Sequence, residues 1–109
     1  MSLLAWGAKV PPEFRWRVVE ICKGFKWQDS QASDLMACMA FESGETFSPS
    51  IKNAAGSGAT GLIQFMPSTA VGLDTTTAQL AQMTATEQLE YVRRYFKPYA
   101  QRIQTLPDM

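Results

Sequence analysis

Histidine is absent from this 109-residue chain, and cysteine occurs only as Cys22 and Cys38. A zinc or iron centre needs a larger set of ligands than two thiols, so metal chemistry is close to excluded. The two cysteines fall on successive predicted helices and could meet, but the preferred reading is a pair of buried free thiols acting as small hydrophobes. Neither charge is in excess: ten Lys and Arg balance ten Asp and Glu. The basic residues are scattered along the chain, from Lys9 to Arg102, and non-specific nucleic-acid binding, which needs a positive face, is not expected. No apolar run is long enough to span a membrane. The opening MSLLAWGAKVPPE has too short an apolar stretch, and no basic flank, for a secretory signal. The expectation is a protein made in the cytosol that stays there unless something else carries it out.

What is present suffices for one modest core: 46% hydrophobic residues, with three Trp, three Tyr and six Phe. Pro11, Pro12 and Glu13 form a good helix start, and Phe14, Val18, Cys22 and Phe25 then recur at i, i+4, i+8 and i+11. This predicts a first amphipathic helix over about 12–26. Asp29, Ser30 or Ser33 could cap a second helix, whose apolar positions Leu35, Met36, Met39 and Ala40 run towards a stop at Gly44. From Ser48 to Gly61 the chain turns to Ser, Pro, Asn and Gly, predicting a loop with at most short strands. Gly56, Gly58 and Gly61 permit a tight path there. Pro67 to Val71 reads as a short helix with proline near its first position. Thr84 to Glu87 is a capping-box pattern before Leu89, Val92, Phe96 and Ile103, with Pro98 expected to kink or divide that helix. Tyr91, Tyr95 and Tyr99, four residues apart, are expected to pack along its side.

Glu42 has two readings: a solvated charge at a helix end, which its position alone favours, and a functional acid, which the residues around it favour. The second helix delivers it to its own C-terminus, where the macrodipole disfavours a carboxylate by about 0.3–1 kcal/mol. A carboxylic acid held between apolar walls has a raised pKa and gives up its proton to a leaving oxygen at neutral pH. Phe41, Phe47, Phe65 and Met66 are the candidates for such walls. Ser43, Asn53 and Gln64 offer directional hydrogen bonds, and the glycine-rich segment would let backbone approach a sugar chain closely. The same glycines do not make a nucleotide loop, because no Lys followed by Ser or Thr comes after them.

These residues resemble a known family, the soluble lytic transglycosylases and related phage muramidases with a lysozyme-like fold. The resemblance rests on Glu42 and Ser43, on Phe47, Ser48 and Pro49, and on GATGLIQFMPSTA from Gly58 to Ala70. It extends weakly to the helix around Glu87 to Tyr95. It implies a mainly α, α+β lysozyme-like domain, with helices around a glycan cleft and a glycine-rich loop or short hairpin. It also implies cleavage of the β-1,4 bond between N-acetylmuramic acid and N-acetylglucosamine in peptidoglycan, without a cofactor or metal. Glu42 would be the catalytic acid and base, Ser43 its neighbour that helps place the substrate, Gln64 and Met66 the lining of the groove, and Phe47 a residue packed near it. Asn53, Gly61 and Phe65 complete the expected substrate-binding set. The expected partner is the peptidoglycan glycan strand, with neither nucleic acid nor membrane expected. The setting implied is a phage endolysin or virion lysin, made in the host cytoplasm and acting in the periplasm after release or injection.

The chain departs from the family pattern in two places. The spacings from Glu42 to Phe47 and from Pro49 to Gly58 are slightly longer. The family also carries a later tyrosine-bearing helix motif that closes the cleft, and residues 1–109 end before any match to it. The expectation is therefore the N-terminal portion of a catalytic domain, completed by a missing C-terminal segment or by a second chain. Glu45 and Asp74 are the nearby acids in sequence. Neither is a clear second carboxylate for hydrolysis, so transglycosylation, using the substrate's own acetamido and 6-hydroxyl groups, is preferred over a hydrolysing lysozyme. A non-catalytic glycan-binding module is the alternative from another class, and a plain helical interaction domain leaves the Gly58–Ala70 block unexplained.

Overall fold

A computed structural model describes residues 6–100. Five α-helices carry the fold: α1 (Pro12–Gly24), α2 (Asp29–Glu42), α3 (Pro67–Gly72), α4 (Thr77–Gln82) and α5 (Ala85–Phe96), with single 3-10 turns at Gly7–Lys9 and Lys97–Tyr99. The protein is mainly helical, and among the described residues none of its helices is long and apolar enough to cross a membrane.

α1 is the hub, packed against both α2 and α5. Its buried stripe of Phe14, Val18, Ile21 and Cys22 meets Leu35, Met36, Met39 and Ala40 of α2 and Leu89, Val92 and Phe96 of α5 in one continuous core. The apolar positions expected from periodicity are those buried, with Phe25 only half-buried at the edge. Ile103 lies outside the described residues. Cys22 and Cys38 are free thiols. Burial pushes Cys22 up to about 12.

The helix ends explain where the expected boundaries shift. α1 stops at Gly24 rather than running to 26. Trp27 donates its backbone N–H to Cys22 O at 2.8 Å, and Lys26 donates to Lys23 O at 3.0 Å. These two bonds form a Schellman motif, and they place Lys26 in the left-handed region at φ 61°. A side chain there costs about 1–2 kcal/mol relative to ordinary helical backbone. α2 begins one residue after Gln28, which caps it by a reciprocal arrangement with Gln31. Asp29, Ser30 and Ser33 are therefore inside the helix, and the cap is an amide rather than the expected hydroxyl or carboxylate. α5 begins at the expected capping box: Thr84 Oγ1 accepts the Glu87 N–H at 3.1 Å, and Glu87 accepts the Thr84 N–H at 2.8 Å. Pro98 divides this helix from the 3-10 turn that follows. α4 is not foreseen by the sequence reading. Its six residues are too few for a periodic signal, and its start is fixed by Thr76, whose hydroxyl accepts the Gln79 N–H at 3.1 Å.

Trp27 closes one end of the core. Its indole Nε1 donates to Ala100 O at 2.9 Å, and its ring meets Phe96 edge-on at 6.2 Å. Nearby, Glu90 ties α5 to α1: it accepts hydrogen bonds from Arg17 at 3.0 Å, from Arg93 at 2.7 Å and from Arg94 at 2.9 Å. The Arg93 hydrogen bond is the main cause, with Arg94 assisting, of a carboxyl held down to about 2 against an ordinary 4.5. A depressed folded-state pKa contributes stability that is complete above the unfolded value and lost as pH falls through the folded one. Because about a third of the Glu90 side chain is exposed, solvent screening keeps the contribution modest. Glu90→Gln should lower the urea midpoint at neutral pH. Between about pH 4.5 and 2 the wild type should lose stability faster than the variant, until the two converge near pH 2. Parallel stability curves for the two proteins across that window would show that Glu90 does not carry the acid sensitivity.

Candidate active site

α2 ends on Glu42, and its termination is fully built. Glu45 donates its N–H to Ala40 O and Gly44 donates to Phe41 O at 3.3 Å, a second Schellman motif with Gly44 left-handed at φ 62°. Glu42 is thus locked as the last helical residue. Its side chain is exposed and makes no hydrogen bond or ion pair with any described residue. Cys38 lies one turn earlier on the same side of α2. Burial, with the Glu42 charge adding to it, pushes its thiol up to about 11. Cys38 therefore stays protonated at neutral pH and offers no thiolate nucleophile.

Ser43 braces the turn that follows. Its hydroxyl donates to Met39 O at 2.6 Å and accepts the Phe47 N–H at 2.9 Å. The residue is completely buried, so its hydroxyl is committed to the backbone and does not reach a substrate, contrary to the direct placing role expected of it. Phe47 is left-handed at φ 51° and is buried edge-on against Phe14 at 5.9 Å. Trp6 covers Phe47 from outside, with ring centroids 6.4 Å apart. Arg15 holds the Trp6 turn in place by donating to Gly7 O at 2.8 Å and Val10 O at 3.1 Å. Trp6 remains 37% exposed, an aromatic face beside the α2 terminus that the sequence reading did not assign, since no periodicity or motif marks it.

The glycine-rich segment folds into a small hairpin-like unit. Isolated antiparallel bridges join Lys52 to Thr60 and Thr60 to Phe65, reinforced by Asn53 N–H to Ala59 O at 2.9 Å and Gly61 N–H to Ile51 O at 2.9 Å. Among the described residues these are isolated bridges and no strand forms, so the expected β part of the domain is present only as this loop. It brings Asn53, Gly61, Gln64 and Phe65 together. Asn53 Oδ1 accepts the Ala55 N–H at 2.7 Å, an Asx-turn that leaves its side-chain NH2 to donate outwards. Gln64, left-handed at φ 56°, donates Nε2 to Ile51 O and to Gly61 O, each at 3.1 Å. Its Oε1 remains as the acceptor. Met66 is 45% exposed.

The apolar wall expected around Glu42 is not assembled. Phe65 is 2% exposed and Phe47 4%; both face the core, because their flanking turns direct them inwards. Phe41 is 82% exposed. Gly61 also has a different role from the expected close approach of sugar to backbone. It is buried, its N–H is taken by Ile51, and a Cβ at its position would run into the Gln88 amide and lie 2.8 Å from Pro49 O. Of the expected set, Glu42, Asn53, Gln64 and Met66 present side chains at the surface. Ser43, Phe47, Gly61 and Phe65 hold the backbone that carries them.

Gln88 is the residue that fixes the hairpin to the helices. Fully buried, it accepts the Leu62 N–H at 2.8 Å and donates to Pro49 O and Leu80 O, each at 2.9 Å. Its signal was present in the sequence: an amide at i−4 from Val92 and i−8 from Phe96, on the apolar stripe of α5.

No group of three or more His, Cys, Asp or Glu among the described residues could hold a metal ion. No family model, curated protein or solved structure matches the chain.

Gln88→Ala removes all three bonds and strands one buried N–H and two carbonyls. It should lower the unfolding free energy by about 3 kcal/mol or more, at about 1–3 kcal/mol per unsatisfied group. Gln88→Glu should recover little of this, because it keeps the acceptor for Leu62 but points an oxygen at the carbonyls of Pro49 and Leu80. Urea unfolding read by far-ultraviolet dichroism checks both, and a loss below about 1 kcal/mol for Gln88→Ala would remove it as the anchor.

Proposed function

We propose that the chain is a peptidoglycan-degrading muramidase with a lysozyme-like α+β domain. In this reading it cleaves the β-1,4 bond between N-acetylmuramic acid and N-acetylglucosamine as a lytic transglycosylase, with Glu42 as its one catalytic carboxylate. The observation that carries the reading is Glu42 itself. An exposed acid stands at the helix end where the macrodipole disfavours it, with no ion-pair partner among the described residues and with a backbone fixed by the Gly44 cap and the Ser43 brace. Nothing in the stability of α2 calls for a carboxylate there. Its position inside the block from Glu42 to Ala70 that resembles the transglycosylases supports the same assignment, as do the half-buried amides of Asn53 and Gln64, which suit the hydroxyl and acetamido groups of a sugar chain.

The chemistry follows from one acid used twice. Acting as general acid, Glu42 gives a proton to the bridging oxygen as the bond from that oxygen to C1 of N-acetylmuramic acid breaks, and the N-acetylglucosamine end leaves as an alcohol. The acetamido oxygen at C2 shares the positive charge on C1. The Glu42 carboxylate then takes the proton from the 6-hydroxyl as that oxygen bonds to C1, which closes an anhydro ring and returns Glu42 to its acid form. The hydrolytic alternative puts water in place of the 6-hydroxyl. Glu45 favours it to the extent that a second exposed acid lies in the same turn, left-handed at φ 67°. The biological setting proposed is a phage endolysin or virion lysin, made in the bacterial cytoplasm and acting in the periplasm after release or injection.

Lysis of outer-membrane-permeabilised cells should fall by about 100-fold or more in Glu42→Gln, the scale of a lost general acid, while binding to purified glycan strands persists. Equal lysis by the two proteins would take Glu42 out of the mechanism. Mass analysis of the released muropeptides should show anhydro ends; reducing ends would instead establish hydrolysis.

A further inference from the structure

Basic residues that are scattered along the sequence do not stay scattered in the fold. Arg17, Lys26, Arg93 and Lys97 line one groove of about 1170 Å³, formed where the C-terminal ends of α1 and α5 meet the start of α2, and Glu20 is the one acid among its lining residues. Glu90 sits under this rim but is outnumbered, because Arg17, Arg93 and Arg94 all bond to it. Four cations thus line the groove with one acid; Arg17 also meets Glu20 at 3.8 Å, which leaves Lys26 and Lys97 as the lining cations with no ion pair among the described residues. The volume lies somewhat above the roughly 300–1,000 Å³ of small-ligand sites, and its floor is held in place: Phe25 and Trp27 meet in a tilted contact at 5.0 Å, and Trp27 is bonded to Ala100 O.

Lys26 is the telling member. It occupies the left-handed position of the Schellman motif ending α1, at φ 61°, where glycine is the usual choice. The equivalent position ending α2 is Gly44, at φ 62°. A lysine kept in backbone that disfavours side chains puts an ammonium at the lip of the groove, and strain of this kind gathers where a side chain is needed.

We propose that this groove is a second binding site, for a ligand carrying several phosphates. Lys26 and Lys97 act as adaptable point charges, while Arg93, whose Nε and Nη2 are both bonded to Glu90, and Arg17, bonded to the same carboxylate, offer only their remaining N–H groups. The guanidinium groups have a built-in carboxylate in Glu90, so an incoming ligand competes for them only if each of its groups brings more charge than a carboxylate, which a phosphate does. Gln28, at the start of α2, lines the groove, whereas Glu42 ends that helix; at 1.5 Å per residue the two lie about 20 Å apart. The site is therefore separate from the proposed glycan chemistry and does not rest on it.

The test is calorimetric titration of the full chain with inorganic tripolyphosphate at low ionic strength, with citrate as the carboxylate arm. Lys26→Glu and Lys97→Glu should each weaken tripolyphosphate binding by about tenfold or more. Lys9→Glu, an equal charge change at an exposed lysine outside the groove, should leave it unchanged, and citrate should bind more weakly than tripolyphosphate. Three results would overturn the proposal: no heat with wild type at about 1 mM ligand, a Lys9→Glu effect as large as that of Lys26→Glu, or citrate binding as tight as tripolyphosphate. The source of the phosphate is read in a second arm, using vesicles of equimolar phosphatidylcholine and phosphatidylglycerol. Wild-type binding that Lys26→Glu abolishes identifies a lipid headgroup, and tripolyphosphate binding without vesicle binding identifies a soluble ligand.

Discussion

One buried amide ties three parts of the chain together by hydrogen bonds, over a core that Leu62, Phe65 and Leu80 share. Gln88 reaches Leu62 in the hairpin, Pro49 in the loop after α2, and Leu80 in α4. The hairpin has only two isolated bridges of its own, and so small a unit has no independent stability in water. Its shape is therefore inherited from α5, through a side chain every polar atom of which is paired. The absence of a Cβ at Gly61 is part of the same contact, because the Gln88 amide occupies that space. The surface that presents Asn53, Gln64 and Met66 depends on this arrangement.

The other half of the candidate site is held by a helix end. Gly44 and Ser43 turn the chain sharply after Glu42, and the Ser43 hydroxyl then directs Phe47 into the core. Glu45, Phe47 and Gln64 are all left-handed without being glycine, and each such residue costs about 1–3 kcal/mol. For a domain whose net stability is on the order of 5–15 kcal/mol this is a considerable load. Among the described residues, three of the six non-glycine residues with positive φ fall in the stretch from Glu42 to Met66.

The helical frame was legible because its signals are local. Phe14, Val18, Leu35, Met39, Leu89 and Val92 repeat with the period of a helix and are buried, and the Thr84–Glu87 box and the stop at Gly44 use short-range hydrogen bonds that a sequence displays directly. The orientations of single side chains were not legible. Phe47 and Phe65 read as aromatic walls for a cleft, yet the left-handed turns at Phe47 and Gln64 send them inwards, and no periodicity forecasts a left-handed non-glycine residue. Ser43 read as a substrate contact because its commitment to Met39 and Phe47 is a matter of three-dimensional register. The gathering of Arg17, Lys26, Arg93 and Lys97 joins residues up to 80 positions apart, a consequence of α1 packing on α5 that charge counting cannot reveal.

α2 thus connects two surfaces of opposite character: an uncompensated carboxylate at its C-terminal end and a cationic groove at its start. The account of function stands on the first of these being a glycan site shared with the Gln88-anchored hairpin. The most direct measurement is a titration of isotope-labelled Glu42→Gln protein with a soluble glycan fragment of alternating N-acetylglucosamine and N-acetylmuramic acid, read by backbone amide shifts. The account predicts perturbations confined to the α2 terminus and to the hairpin, at residues 42–47 and around Asn53, Gln64 and Met66. Shifts that gather instead around Lys26 and Lys97, or that spare the hairpin altogether, would contradict it.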